Sequence, residues 1–423
     1  MKKIEKYIKS NKGSITTVVL VTVLFFITIL STAYIVTATL RKSQLKSEVT
    51  AKEVYEHDFN NIDTIIEDLR NASYDPASEG VTIPTGFYYV GGTKDSGLVI
   101  SDNSADENKY QGQTTVGTDL AGNQYVWVEV PKTTTVYPTA GLGITTFNDT
   151  AYERIEEDLH TYTSTYRNGT SYTDTYYPDT DNTGWFTESQ YNTAKKNMLK
   201  SVYENGGFYV GRYETGIATT QSPRTASGAT TGYTPVIKAN AYPYNYVTRT
   251  QAKVLAESME HGNRTSSLMF GVQWDLVLAF MKKKGRVEDT ILTSDSTDIG
   301  NYANAKFSMT STNAKYAIYS QSSHALGNWN DVPANYEKPN SGTENWVLLT
   351  TGANETRNSK MNICDLAGNV WEWTLEKPYY TNNPCAYRGG NYNLYGSNLP
   401  ASIRNNNNTT SSFNDLGFRV SLY

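Results

Sequence analysis

From Ser14 to Leu40 the chain runs 27 residues without a charge, bounded by Lys12 and Arg41. About 20 apolar residues suffice for a helix to cross a bilayer, so this run predicts a transmembrane helix over 14–40. Lys2, Lys3, Lys6, Lys9 and Lys12 precede it against Glu5 alone, and mixed charges follow it. Basic flanks stay on the cytoplasmic side. Residues 1–13 therefore read as a cytoplasmic leader and the main domain as exported, a single-pass arrangement at the cell membrane. A cleaved secretory signal is the alternative, but the run exceeds a signal's apolar core, and Ser31-Thr32-Ala33 is a weak cleavage sequence. Val54, Ile62, Ile65, Ile66 and Leu69 then recur at roughly helical spacing with no Gly or Pro between 41 and 70. Residues 41–79 read as a helical stalk and linker, punctuated by Asp75-Pro76 and Glu79-Gly80.

From residue 80 to 423 the text reads as one domain. Short β-type runs stand between Gly, Asn and Thr: Gly86 to Val90, Tyr125 to Val130 and Gly207 to Tyr213. Residues 132–184, dominated by Thr, Tyr, Asp and Gly, read as a variable surface insertion with one short helix near Tyr152 to Leu159. Thr187-Glu188-Ser189-Gln190 and Thr248-Arg249-Thr250-Gln251 carry the capping-box pattern, predicting helices to about Tyr203 and Glu260. An apolar helix is predicted near Gln273 to Lys283. Few helices among many strands, without regular alternation, imply an irregular α+β fold. Charged residues are only 19% and the net charge is −5, with no dense basic patch, so nucleic acid is not an expected partner. Two Cys exclude a disulfide scaffold and a Cys-only zinc site, and His57, His160, His261 and His324 show no ligand spacing.

Five motifs follow one another through the second half: Phe208 to Glu214 (FYVGRYE), Gly271 to Asp275 (GVQWD), Asn362 to Thr374 (NICDLAGNVWEWT), Tyr387 to Tyr392 (YRGGNY) and Leu416 to Val420 (LGFRV). In this order they closely resemble the formylglycine-generating enzyme family, also called the sulfatase-modifying-factor family, whose fold is a variant of the C-type lectin-like fold. The residues themselves suit core roles. Trp371 and Trp373 alternate around Glu372 and can face one side of a strand. Gly389-Gly390 permits tight backbone turns. A last strand over Gly417 to Leu422 would close the domain. Asp119 to Asn123 repeats the DLAGN of Asp365 to Asn369 and reads as a second tight turn leading into a strand.

Family catalysis uses a Cys pair five residues apart shortly after the Gly-Gly. The matching positions are Leu394 and Leu399, which offer no thiolate for copper or redox chemistry. The expectation is a noncatalytic protein, with an oxidase of altered chemistry as the alternative. The related sulfoxide synthases use a multi-His iron site, whose spacing is missing here. The family also binds structural calcium at this turn. The resemblance implies Asp365, Gly368, Val370 and Glu372 as ligands, hard oxygens that suit calcium; a turn held by ordinary hydrogen bonds is the other reading. Cys364 and Cys385 are either a disulfide stapling this region or two separate buried thiols.

Between Asn391 and Asp415 lie 25 residues with 8 Asn and two charges, Arg404 and Asp415. In the family this stretch faces the ligand. Tyr, Asn and Ser are residues that binding loops favour, and the tract resembles the variable region of diversity-generating retroelement targets, where adenine-directed mutation acts on Asn codons. The candidate contacts are Tyr392, Asn393, Leu394, Tyr395, Asn398, Arg404, Asn406 and Phe413. The N-terminus resembles type IV pilin-like subunits, in which a basic leader ends in Gly before a hydrophobic helix, as in Lys12-Gly13-Ser14; Val18 stands where such pilins usually have Glu. The expected protein is thus a bacterial surface binder of an extracellular protein or glycan, held to the membrane by its N-terminal helix. A minor pilus subunit with pilus components as partners is the remaining alternative.

Overall fold

The computed structural model describes residues 21–22, 24–31, 74–167, 171–283, 286–309, 311–333 and 335–423. The chain divides into two units, Met1–Tyr74 and Asp75–Tyr423. In the first, residues 21–22 and 24–31 are helical, with Leu24, Phe25, Phe26, Ile29 and Leu30 exposed. Among the described residues no helix is long and apolar enough to cross a membrane. The rest of the expected span 14–40, the leader 1–13 and the stalk as far as residue 73 lie outside the described residues.

The second unit begins where the punctuation residues predict. The Asp75 side chain caps a short 3-10 turn, Pro76–Glu79, and Gly80 closes it in the left-handed region at φ 75°. In chain order the principal strands are β1 (Tyr88–Gly91), β2 (Val99–Ser101), β3 (Gln124–Glu129), β4 (Gly207–Gly211), β5 (Ser266–Leu268), β6 (Trp371–Trp373), β7 (Cys385–Arg388), β8 (Arg404–Asn407), β9 (Leu416–Phe418) and β10 (Val420–Leu422). One sheet runs β1-β2-β3-β4-β10-β5, antiparallel throughout. The other runs β8-β7-β6-β9, antiparallel except for the parallel pair β6 and β9. The turn Asp119 to Asn123 leads into β3, as its sequence implies.

The expected single closing strand is divided. β9 belongs to one sheet and β10 to the other, with Arg419 at the break. Its guanidinium reaches both oxygens of Glu372 on β6 at 2.7–3.1 Å, the Gly211 carbonyl of β4 at 2.9 Å and the Cys364 carbonyl at 2.8 Å. Arg419 and Glu372 are both buried. A guanidinium offers five donors in a fixed fork, so one side chain can hold two sheets together by satisfying a carboxylate and two carbonyls at once.

The main helices are α1 (Asp149–Tyr162), α2 (Glu188–Asn205), α3 (Arg249–Glu257) and α4 (Gly271–Lys283). Both capping boxes form, at Thr187 with Gln190 and at Thr248 with Gln251. α2 runs past Tyr203 to a left-handed Gly206, whereas α3 stops three residues short of Glu260. α4 is buried from Gly271 through Met281, the pattern of a helix enclosed on all sides. Its first turn has its orphan donors met from elsewhere: Asp174 accepts from Gly271 N–H at 2.7 Å and Val272 N–H at 3.0 Å.

That capping residue comes from the segment 132–184, which corrects its reading as a peripheral insertion. Tyr137, Ile155, Leu159 and Tyr166 are buried, and Asp174 is 2% exposed. Asn182 donates to the Thr409 carbonyl at 2.8 Å, and the Tyr166 carbonyl accepts from Arg404 at 2.6 Å. The polar composition hides this docking because much of it is made by hydrogen bonds and Tyr rings rather than by aliphatic side chains.

Candidate functional site

The Gly389-Gly390 pair sets the chain direction into the Asn-rich segment. Both residues have positive φ, 91° and 81°. A Cβ on Gly390 would lie 2.7 Å from the Leu399 carbonyl oxygen, and one on Gly389 2.8 Å from that of Leu366. Only glycine fits here. The chain then folds back: Ala303 N–H bonds the Leu394 carbonyl at 2.8 Å, and Leu399 N–H bonds that of Tyr395 at 3.0 Å.

This return path leaves a hollow of about 550 Å³ beside the second sheet. Tyr246, Tyr319, Trp371, Tyr387 and Phe413 line it, with Leu394 at its edge. Trp371 and Tyr387 meet edge to face across β6 and β7, ring centroids 4.8 Å apart, a favourable aromatic geometry. Tyr246 sits in the left-handed region at φ 54°, and its N–H bonds the Phe413 carbonyl at 2.9 Å. Arg224 fixes that corner by donating to the Asn245 and Tyr246 carbonyls, each at 3.1 Å. Asn393, Asn405 and Asn414 bring amides to the wall, and Asp415 brings a carboxylate. Burial raises the Asp415 pKa above the usual carboxylate value. Burial, with the Asp415 charge added, pushes the Tyr387 phenol up to about 12.

The expected contacts divide into distinct groups. Leu394, Tyr395 and Phe413 are 43%, 49% and 46% exposed, unusual for large apolar side chains of one segment. Leu394, Phe413 and Asn393 line the hollow, while Asn398 is exposed on the neighbouring turn. Asn406 is half-buried and donates to the Tyr172 hydroxyl at 2.9 Å. Two contacts are corrected. Tyr392 is fully buried in a cluster with Leu348 and Val370, its hydroxyl on the Asn414 side-chain oxygen at 3.1 Å. Arg404 is buried and ion-paired with Asp275 and Glu376. Both support the site from within instead of facing a ligand.

The implied calcium ligands do not fit an ion. Both oxygens of Glu372 are taken by Arg419, a cation already in place. Asp365 directs one oxygen to the Gly352 N–H at 2.6 Å and the other toward the Asn358 amide at 3.5 Å. Gly368 and Val370 supply the turn's backbone, with the two implied carboxylates already engaged by other partners. Of the two readings open for Cys364 and Cys385, the structure has two separate buried thiols that are not bonded to each other, and burial pushes the Cys385 thiol up to about 11. A buried thiol with a raised pKa is not a reactive thiolate, which describes Cys385.

Sequence reasoning missed Tyr246, Tyr319, Trp371, Tyr387 and Asp415 as one wall. Asp415 had a signal, being the lone acid in a stretch whose one other charge is Arg404. Trp371 and Tyr387 stood in motifs, where Trp371 read as core and Tyr387 was given no role. Tyr246 and Tyr319 gave no signal, since only the fold brings them to the segment.

Among solved structures, the chain is similar to Treponema denticola variable protein 1, with 13% identity, a TM-score of 0.27, and coverage of 51% of this chain and 84% of that one. A crystal structure of CarF gives 12% identity, a TM-score of 0.26, and coverage of 51% and 85%. A comparison with curated proteins gave no match. The family profile described as the sulfatase-modifying factor enzyme 1-like domain matches residues 203–422. That match takes in all five motifs and spans more than half of the 423 residues, so the chain belongs to the FGE-sulfatase family.

Proposed function

We propose that the protein is a noncatalytic binder, carried at a bacterial surface by its N-terminal hydrophobic segment, that contacts an extracellular protein or glycan through residues 391–415. The observation that carries this reading is the aromatic hollow of about 550 Å³, edged by the exposed Leu394 and Phe413. Binding surfaces of this kind are concave and combine rigid aromatic rings with adaptable amides, as this wall does with Asn393, Asn405 and Asn414 beside its rings. The absence of catalysis is inferred from Leu394 and Leu399, which stand at the family's thiol positions. Membrane attachment rests on the 27-residue uncharged run and its basic flank. Diversification by a retroelement belongs to the same proposal: Asn393, Asn405 and Asn414 face the hollow, so Asn-codon changes would alter the wall directly.

The test is capture of ligands from peptide and glycan arrays by the full chain, compared with Leu394→Ser and Phe413→Ser variants of unchanged thermal stability. Loss of capture in both variants is expected. Undiminished capture would place the ligand elsewhere. A sulfatase-type Cys peptide incubated with the chain and copper is expected to stay unoxidised, and aldehyde formation would overturn the noncatalytic reading. For diversification, the coding DNA is expected to have a near-identical repeat differing at adenines; a locus without such a repeat removes that part of the proposal.

A further inference from the structure

The hollow contains one carboxylate and neither Lys nor Arg in its wall. Asp415 Oδ2 accepts from the Asn391 amide at 2.6 Å, and the Asn393 amide also donates to this carboxyl. Both donors are neutral. Glu372 on β6 and Glu376 just after it are treated differently: Glu372 is paired with Arg419, and Glu376 with Arg388 and Arg404. Asp415 is the acid for which the second sheet supplies hydrogen bonds but no countercharge. Its position among the rings is supported by its effect on them, since its charge adds to burial in raising the phenols of Tyr246, Tyr319 and Tyr387.

A partly desolvated carboxylate is an incomplete arrangement, because its charge has lost water without gaining a cation. Aromatic faces attract cations through their quadrupoles and repel anions. The two features therefore select the same ligand charge. A neutral sugar would satisfy hydrogen bonds and leave the charge uncompensated; an acidic ligand would be repelled. His324, at the same hollow, is the other ionisable side chain of the wall besides the tyrosines and Asp415.

We propose that the hollow receives a basic side chain, Lys or Arg, projecting from a protein ligand, with Asp415 as its countercharge and the rings of Tyr246, Tyr319, Trp371, Tyr387 and Phe413 as its walls. This rests on the reading of the hollow as the ligand site and narrows that ligand from protein or glycan to a protein with an exposed basic residue. Such pairing also steers encounter, so association is faster at low ionic strength.

The experiment titrates the full chain by calorimetry and ligand-observed NMR with end-capped Gly-Lys-Gly and Gly-Arg-Gly, using capped Gly-norleucine-Gly as the neutral chain of like length. The basic peptides are expected to bind at least about tenfold tighter than the norleucine peptide. Asp415→Asn, which keeps the side-chain shape, is expected to abolish that difference, while His324→Gln preserves it. Equal binding of the neutral and basic peptides overturns the inference and leaves the hollow a ligand site. Binding of none of the three, up to roughly 50 mM, also overturns it; the wider reading then stands or falls on the array capture. The wild-type comparison needs no variant, so an unfolded Asp415→Asn protein does not blunt the test.

Discussion

Arg388 and Arg404 lie directly opposite one another on β7 and β8, and each guanidinium bonds both Asp275 and Glu376. Facing cations on one sheet face repel; here two buried acids sit between them and convert the clash into a closed network. All four side chains are at most 3% exposed. Burial pushes the Glu376 carboxyl up, but Arg404 and Arg388 beside it outweigh burial and hold it at about 2. The network ties α4 to the strand leading into the segment 391–415.

Removing one member of such a network strands charges in the interior. Arg404→Ala should cost about 3–5 kcal/mol of stability, read as a shifted midpoint in urea unfolding. Lys196, whose pair with Asp149 stands in solvent, should give an unchanged curve when replaced by Ala. If Arg404→Ala unfolds at the wild-type midpoint and loses ligand capture instead, Arg404 is a contact and its placement in the core is wrong.

Tyr392 makes the same distinction for an aromatic. Tyr392→Ala would empty a fully buried site against Leu348 and Val370, which corresponds to about 3–5 kcal/mol for a large-to-small aromatic change. Tyr395→Ala, at a half-exposed position, should stay within about 0.5 kcal/mol. Thermal melting of the two variants side by side checks this, and equal melting would show that Tyr392 is not a core residue.

These two residues show where the sequence was legible. Local signals were read correctly: the capping boxes at Thr187 and Thr248 need only four consecutive residues, and the helices start there. The motif residues Trp373, Gly389 and Phe418 also stand where the family resemblance puts them, because the order of the motifs carries their pairing, Trp373 lying opposite Phe418. Arg404 and Tyr392 were misread because their partners are remote. Asp275 is 129 residues from Arg404, and an Arg among Asn and Ser carries no mark of burial. The same remoteness hid the capping role of Asp174, 97 residues before Gly271. Composition misled in a consistent direction: polar, Tyr-rich stretches read as solvent-facing, although a Tyr can be buried whole once its hydroxyl finds a partner.

Gly390 is the local feature on which the segment 391–415 turns. Gly390→Ala should cost at least about 2 kcal/mol, from an L-residue held at φ 81° and from a Cβ 2.7 Å from the Leu399 carbonyl oxygen. Gly143→Ala meets nothing within 4 Å and should be neutral or slightly stabilising. Denaturant midpoints decide the matter, and equal midpoints would mean that the backbone at Gly390 relaxes without strain.

His160, on α1, gives the fold a pH dependence that one substitution isolates. Burial lowers its pKa to about 3, with Arg167, Lys195 and Arg404 adding repulsion against Glu376's opposing pull, and its Nε2 has no hydrogen-bond partner. In the unfolded chain an imidazole titrates near 6.5. Between these values the unfolded chain binds a proton that the folded chain refuses, so stability rises with pH across that window. Its contribution is complete above about pH 6.5 and is lost progressively as pH falls toward 3, at up to about 1.4 kcal/mol per pH unit. His160→Gln removes the titration but keeps a polar side chain. The difference in unfolding free energy between wild type and variant should therefore be constant above about pH 7 and shift in favour of the variant as the medium is acidified. A difference that stays flat from neutral to acid would show that His160 is protonated in the folded protein as readily as in the unfolded one.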